Sequence, residues 1–511
     1  MEKLVGRSRE IATLKSLLKS KKAELLAIYG RRRVGKTFLI SSFFSNKGIY
    51  FEMTGIKGGK CSQQIQTFIR RLRFAFKDLQ IDFPPKNWFE AFELLEQAIE
   101  SVKKSCKIIL FFDEFPWMDT HKSDLLKAFE YLWNSYLSRD SRIIAVICGS
   151  SVSWMIKKII HNKAGLYGRL TSQIRLRPFT LKEIEEYFVT NNIQLDRKQI
   201  VELSMALGGI PKYLSYVESG KSAAQNIQKL CFTPGAPLTT EFQTLYESLF
   251  DNHYMHVQII ELLAHSTIGL TVSQISKKLS KEKGGNLSRA LKELIASNFV
   301  QFVPFYGRKT REGRYRIVDE YSYFYLNWVQ DSMYNYDESI SQSFWIQQQS
   351  SSKFRSWAGY MFESICFKHI RQIVKALELT VVADKASYWS YTPSKNSNDQ
   401  GGQIDLVIDR TDQCINLCEI KFWKSEFTIS DTIAQKLNER RGIFQDITKT
   451  RKTIFNTLIT PYGARINKNY LSSVDKQLNL DALFLEDTEL FPDCVEKINF
   501  RRLPPPHHQS Y

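Results

Sequence analysis

Cysteine is scarce: eight in 511 residues, irregularly spaced, do not make a disulfide framework, and a reducing compartment fits them. Long apolar runs are missing too. No stretch approaches the ~18 residues that a membrane-spanning helix needs. The longest, such as Ile143 to Cys148, have the length of a buried strand. The opening Met1 to Arg7 lacks the apolar core of a signal peptide. The expectation is a cytoplasmic protein with no membrane partner. Acids are also in short supply, since 53 Asp+Glu face 71 Lys+Arg for a formal net charge of +18. That excess points to nucleic acid or another anionic surface, or to nothing more than a basic, solvated exterior. Core-forming residues are plentiful, with 43% hydrophobic and 13% aromatic, which excludes a disordered or low-complexity chain. At ~150 residues per domain, the length points to about three domains.

The clearest chemistry lies near the start. Leu25 to Tyr29 reads as a buried strand, and Phe38-Leu39-Ile40 begin a helical pattern. Between them stands Gly30-Arg31-Arg32-Arg33-Val34-Gly35-Lys36-Thr37, the G-x-x-x-x-G-K-[ST] spacing of a phosphate-binding loop. Gly30 and Gly35 let backbone N–H groups turn inward around phosphates, and the helix N-terminus adds partial positive charge. Lys36 reaches the β and γ oxygens of ATP, and the Thr37 hydroxyl ligates Mg²⁺. A second apolar strand, Ile108 to Phe112, ends in Asp113-Glu114. Asp113 would hold Mg²⁺ through water, and Glu114 would orient or deprotonate the attacking water. A third strand, Ile143 to Cys148, leads into Gly149-Ser150-Ser151, so Ser150 stands either as a γ-phosphate sensor or as an ordinary strand end. Arg169, after the Gly-flanked loop Gly165 to Gly168, is either an arginine finger or one more exposed arginine. Gly208-Gly209-Ile210-Pro211 marks a turn.

Taken together these blocks resemble the archaeal-type AAA-like ATPases allied to the STAND class. The residues are Tyr29 to Thr37, Phe112-Asp113-Glu114-Phe115, Cys148-Gly149-Ser150, Leu166 to Arg169, Arg177-Pro178-Phe179 and Gly208 to Leu214. Val5-Gly6-Arg7, with Glu10 after it, is similar to the family's entry segment. The resemblance covers about the first 230 residues. It implies that Arg169 is functional and that Pro211 lies near the nucleotide. It also implies a following winged helix and often a nuclease-like C-terminal domain.

The middle of the chain reads as a winged helix. Thr233 to Pro237 is a breaker cluster and reads as a linker. Val257, Ile260, Leu263 and Ala264 follow helical spacing, Thr271 caps a second helix with Ile275 and Leu279, and Leu287, Leu291, Leu294 and Ile295 line a third. Strands over Phe299 to Pro304 and Arg314 to Val318 flank a basic loop. Asn286, Arg289 and Lys292, with Arg308, Lys309, Arg311 and Arg314 of the wing, could meet DNA phosphates without base readout. The other use of such a module is packing against its own chain or another protein.

A second chemical site lies toward the C-terminus. Gln403 to Asp409 alternates as a strand, and Cys414 to Lys421 follows it across a turn. Glu419 and Lys421 share a strand face, with Asp405 on the neighbouring strand. Asp405 and Glu419 could ligate Mg²⁺, and Lys421 could position or activate water. The plain alternative is a charged hairpin with an ordinary Glu–Lys pair. Upstream, Phe354 to Ile370 reads as a helix carrying Glu363, and another helix starts near Asp431. This order resembles the PD-(D/E)XK nuclease superfamily, which implies Glu363 as the helical acid joining the metal site. Gln403 stands where the family often has an acid.

The expected fold class is α/β: a P-loop NTPase parallel sheet, then a winged-helix domain, then an α/β restriction-endonuclease-like domain. The expected boundaries are 1–232 for the ATPase with a helical lid, 240–320 for the winged helix, 321–352 for a linker, 353–500 for the nuclease-like domain and 501–511 for a tail. The linker assignment comes from the Ser- and Gln-rich stretch Ser341 to Ser352. The expected function is ATP- and Mg²⁺-dependent action on DNA by an ATPase coupled to a nuclease-like domain. The alternative is a regulatory ATPase switch that gates DNA or protein binding while the nuclease-like domain is inactive. A homo-oligomer follows if Arg169 acts in trans.

Overall fold

The computed structural model describes residues 3–486 except 78, 82, 104–105, 162–165, 167, 251, 267, 280–283, 309–311, 335–342 and 394–399. Lys309 and Arg311 of the expected wing, residues 487–500 and the expected tail 501–511 therefore lie outside the described residues. The chain divides into two compact units, one of residues 1–178 and 210–212, the other of 179–209 and 213–511.

The first unit is built on five parallel strands: β1 (Glu24–Tyr29), β2 (Ile49–Thr54), β3 (Ile108–Asp113), β4 (Ile143–Gly149) and β5 (Ser172–Arg175). They lie in the order β2-β3-β4-β1-β5. Every residue of β3 and β4 is buried, as a parallel strand covered on both faces requires. That explains why both read as unbroken apolar runs rather than alternating ones. The outer strand β2 is buried only at Phe51 and Met53. Phe51, Phe68, Trp88, Phe92, Phe112, Phe115 and Phe129 fill one side of the sheet, many of them edge to face. Three neighbouring strands, β3, β4 and β1, end on the same edge. The residues that follow them form the site described below.

The second unit opens with helices Leu181–Thr190 and Arg197–Leu207, the first begun by a Thr180–Glu183 capping box. Both helices, expected within the ATPase domain, make most of their contacts with the second unit. His369 accepts a hydrogen bond from the Leu181 backbone, and Arg197 pairs with Glu185 and Asp481. Helices Tyr254–Ala264, Val272–Lys278 and Gly284–Ala296 precede an antiparallel hairpin of β6 (Val300–Pro304) and β7 (Gly313–Ile317). Leu270 bridges Tyr315 of that hairpin.

The expected linker 321–352 is instead structured and largely buried where it is described. Glu320–Phe324, Tyr325–Val329 and Phe344–Gln348 are helical. Trp328 and Trp345 are fully buried and meet Trp357 in edge-to-face contacts. The serines and glutamines around Trp345 masked an aromatic anchor. The breaker cluster at 233–237 is a turn rather than a linker, since Leu238 just after it is fully buried.

Helix Ser352–Lys368 leads into a five-stranded mixed sheet. Its strands are β8 (Ala383–Tyr391), β9 (Gly402–Arg410), β10 (Cys414–Ile420), β11 (Thr453–Ile459) and β12 (Lys476–Leu478), in the order β12-β11-β10-β9-β8. β8, β9 and β10 are antiparallel, while β10, β11 and β12 are parallel. Helix Asp431–Thr448 connects β10 to β11. It starts at the residue the sequence indicated.

Candidate functional site

The loop after β1 is shaped by two glycines for different reasons. A Cβ on Gly30 would come 2.2 Å from the Leu176 carbonyl oxygen, so no side chain fits there. Gly35 has φ 90°, a region other residues rarely enter, and it starts helix Lys36–Phe44. Arg33 between them is also left-handed, with φ 70°. Lys36 is buried, and its Nζ donates to the carbonyls of Gly30 and Arg31 at 2.9 and 3.1 Å. Arg31 is buried, and Arg32 and Val34 complete the loop. From the entry segment, buried Arg7 donates to the Val34 carbonyl at 3.1 Å. The sequence pointed to Val5-Gly6-Arg7 as a family match but not to this clasp on the loop.

The strand-end acids stand beside this loop. Thr37 Oγ1 donates to Asp113 Oδ2 at 2.9 Å, and the Glu114 amide donates to Asp113 Oδ1 at 3.1 Å. Glu114 has φ 46° and precedes the short helix Phe115–Met118. Its Oε2 accepts from both the amide and the hydroxyl of Ser150, at 2.9 and 2.8 Å. Ser150 is 1% exposed. The three strand ends are thus tied in pairs, Thr37 to Asp113 and Glu114 to Ser150. Thr37 and Asp113 fit Mg²⁺, because a hydroxyl and a buried carboxylate oxygen are already side by side.

Two other expected residues stand apart from these bonds. Arg169 is exposed in the loop before β5, and its amide donates to the Leu166 carbonyl at 3.0 Å. Pro211 begins the short helix Pro211–Leu214 and, with Ile210 and Lys212, clusters with the P-loop unit. Just before it, Gly209 packs on Phe179, and a Cβ there would come 2.0 Å from the Phe179 carbonyl oxygen. Two of the motif blocks, at 177–179 and 208–214, therefore meet.

In the second unit the expected carboxylates do come together. Asp405 on β9 is buried, and its Oδ2 accepts from the Ile420 amide at 3.0 Å. Burial first, then the charges of Glu419 and Glu363, push its carboxyl up to about 8. Burial likewise raises Glu363, against the pull of Arg316. Lys421 Nζ meets Glu419 Oε1 at 2.8 Å, as their shared strand face requires. Arg440, from helix Asp431–Thr448, takes the other Glu419 oxygen at 2.5 Å. Arg316 of β7 reaches Glu363 Oε2 at 3.3 Å and lies 4.7 Å from the centre of the Tyr360 ring.

Arg316 and Arg440 were not among the expected site residues. An arginine inside an apolar strand, between Tyr315 and Ile317, was the available signal for the first. Their pairing changes the metal reading. Among the described residues no group of three His, Cys, Asp or Glu is arranged to hold a metal ion. Glu363 and Glu419 are turned to guanidinium and ammonium groups, so as arranged the trio Glu363, Asp405 and Glu419 does not fit a divalent cation.

The β6–β7 hairpin, the expected wing, is likewise only partly open where it is described. Arg308 is exposed, whereas Arg314 is half-buried and donates weakly to the Gly269 carbonyl at 3.5 Å. Both guanidinium groups lie over the Phe305 ring. Asn286 and Arg289 are exposed on their helix, Arg289 pairing with Glu293 at 3.0 Å. No helix among the described residues is long and apolar enough to cross a membrane.

With this geometry in place, comparison with known proteins gives two family matches. A family of ATPase domains predominantly from Archaea is matched over residues 4–217, and a family of archaeal and bacterial proteins of unknown function over residues 325–436. An uncharacterized protein of Methanocaldococcus jannaschii is 24% identical over 487 residues, covering 94% of this chain and 98% of its own. An uncharacterized ATP-binding protein of the same organism is 49% identical over 45 residues, 9% of this chain and 76% of its own. Among solved structures, the Walker-type ATPase PABY2304 of Pyrococcus abyssi aligns with a TM-score of 0.45 and 21% identity, over 63% of this chain and 96% of that one.

Proposed function

We propose, from the match of residues 4–217 to the family of ATPase domains predominantly from Archaea, that the chain is an MgATP-driven switch whose second unit engages DNA. The observation that carries this reading is the pairing of Thr37 with Asp113 and of Glu114 with Ser150 beside the loop 30–37. Backbone amides of the loop and the start of helix Lys36–Phe44 receive the phosphates. Lys36, held at the loop carbonyls, transfers its ammonium to the β and γ oxygens. Thr37 and Asp113 would hold Mg²⁺, which offsets phosphate charge when bound. Glu114 positions a water for in-line attack on the γ-phosphorus and takes its proton. Ser150 fixes the carboxylate through two donors. Arg169 serves as the candidate finger, and Pro211 as a nucleotide neighbour.

DNA is the partner favoured by the net charge of +18 and by the exposed Arg308, Arg289 and Asn286 of the winged-helix segment. The nuclease-like reading of the C-terminal sheet rests on the order Glu363, Asp405, Glu419-x-Lys421. The ion pairs of Glu363 and Glu419 favour the regulatory form of this reading, in which the domain binds rather than cuts.

The test is ATP hydrolysis by the full chain beside two variants. Lys36→Ala is expected to lose tight MgATP binding. Glu114→Gln should keep binding and lose ~10²–10⁴-fold in turnover. Parental hydrolysis by Lys36→Ala would remove the P-loop assignment. DNA affinity of the parent should fall steeply with salt, by about one log unit per log unit of salt for each phosphate contact. A flat salt dependence would remove DNA as the partner.

A further inference from the structure

Strands β10 and β11 run parallel, so their C-terminal ends share one edge of the mixed sheet. The chain beyond them forms two adjoining loops. The Lys421 amide donates to the Ile459 carbonyl, the Phe427 amide to the Gly463 carbonyl and the Arg465 amide to the Phe427 carbonyl, each at 2.9 Å. Segments 422–426 and 460–463 therefore leave the sheet side by side and meet again at the Phe427–Ala464 bridge. Each carries an exposed ring: Trp423 is 44% exposed and Tyr462 is 48% exposed. One exposed ring is ordinary, but two on adjoining loops make a patch. Trp423 meets Phe427 edge to face at 5.8 Å, a contact that holds the ring while leaving it half open.

Charge on this rim is almost all of one sign. Lys424, Arg465 and Lys468 are exposed, and among the described residues none of them pairs with an acid. Glu426 is the one acid within 421–430, and 460–474 holds none. The exposed arginines of the winged-helix segment differ, because Arg289 is answered by Glu293 at 3.0 Å and Arg308 by Glu312 at 4.0 Å. Rings interleaved with such cations suit a strand of unpaired nucleotides, whose bases stack on aromatic faces while its phosphates meet Lys and Arg. A duplex suits them less, since its bases are already stacked on one another. Ile466 and Leu471, exposed in the residues that follow, would also serve an acidic peptide. The alternation of ring and cation, in Trp423-Lys424 and from Tyr462 to Arg465, favours nucleic acid.

We propose that this rim, Trp423 and Tyr462 with Lys424, Arg465 and Lys468, is a binding platform for single-stranded DNA. The inference rests on the reading that the second unit engages DNA, and it adds the place and the form of the DNA. The platform works by stacking and charge alone. It needs no metal at Glu363, Asp405 and Glu419, and it begins two residues beyond Lys421.

The experiment is fluorescence anisotropy of labelled oligo-dT titrated with the full chain at low salt in EDTA, beside an abasic strand, a duplex and an oligo-U of the same length. The parent is expected to bind oligo-dT more tightly than the abasic strand. Trp423→Leu and Tyr462→Leu should each weaken oligo-dT binding roughly five- to a hundredfold. Trp423→Phe should keep most of the affinity, and all three variants should bind duplex as the parent does. Parental oligo-dT affinity in either folded leucine variant overturns the proposal; if Trp423→Leu does not fold, Tyr462→Leu decides alone. Equal affinity for the abasic strand, or a loss in Trp423→Phe as deep as in Trp423→Leu, overturns stacking. An equal loss on duplex overturns the single-strand assignment. Tighter binding of oligo-U, or displacement of oligo-dT by polyglutamate as readily as by unlabelled oligo-dT, overturns DNA as the occupant. Duplex binding without oligo-dT binding overturns the platform and leaves the DNA reading standing, whereas binding of neither overturns both.

Discussion

The P-loop unit and the mixed-sheet unit each gather acids at strand ends, yet they treat those acids in opposite ways. Asp113 and Glu114 are held by hydroxyls and amides, from Thr37, Ser150 and the backbone. Glu363 and Glu419 are held by guanidinium and ammonium groups. A neutral donor fixes a carboxylate in place and leaves its negative charge for a metal or a water. A guanidinium fork fixes it and cancels the charge as well. The first unit is therefore poised for a charged ligand. The second is already neutralised. The acids alone do not distinguish the two; the partners brought to them from other elements do.

The sharpest way to break this contrast is to remove one carboxylate from its arginine. Glu363→Gln leaves Arg316 buried with no opposite charge beside it. Breaking a buried ion pair from one side costs about 3–5 kcal/mol. The expected outcome is a large drop in the urea midpoint of the second unit, with part of the loss restored in Arg316→Met, Glu363→Gln. A Glu363→Gln variant that unfolds with the parent would show the pair to be structurally idle.

These pairings also mark where sequence reading stops. The strands β1, β3 and β4 were legible because strands buried on both faces must be apolar throughout, and the loop 30–37 because its spacing is tied to its chemistry. Asp405, Glu419 and Lys421 were legible from strand alternation, and the Glu419–Lys421 contact follows from it directly. Arg316 was not, because its partner lies on a helix 47 residues away and no local pattern encodes that meeting. Segment 321–352 was misread for a related reason. Its polar flanks set the composition, while Trp328 and Trp345 set the packing. The helices at 181–207 were placed with the ATPase on the family resemblance, and the ATPase-domain match over residues 4–217 includes them; what no local pattern encodes is that His369 and Asp481 also tie them to residues far downstream.

Asp405 offers a gentler test within the second unit, because among Glu363, Asp405 and Glu419 it is the acid that accepts from an amide, that of Ile420. Its carboxyl is pushed up to about 8, whereas an unfolded aspartate ionises near 4. Between those values the folded chain holds a proton that the unfolded chain releases. Stability must therefore fall as pH rises from about 4 to 8. Asp405→Asn keeps an oxygen for the Ile420 amide and cannot ionise. It should melt with the parent near or below pH 4 and increasingly above it as pH rises to 8. A gap that shrinks as pH rises would mean that Lys421 and Arg440 hold Asp405 ionised, and that the cluster has charge to spare for a metal.

The smallest expected effect is in the first unit and sharpens the comparison from the other side. Ser150→Ala removes the hydroxyl that donates to Glu114 at 2.8 Å but keeps the amide that donates at 2.9 Å. One of two neutral donors is lost, worth about 1 kcal/mol and so roughly fivefold in turnover. ATP affinity should be unchanged, because Ser150 bonds to Glu114, the proposed general base, and not to Lys36 or Thr37. If a carboxylate in this unit needs only to be aimed, that modest loss is the whole consequence. A loss as deep as that of Glu114→Gln would give the hydroxyl a second task, contact with the γ-phosphate itself, and would restore the sensor role that its position after β4 allows. Steady-state kcat and KM of Ser150→Ala, measured beside Glu114→Gln, separate aiming from sensing, because aiming leaves the amide to do half the work and sensing does not.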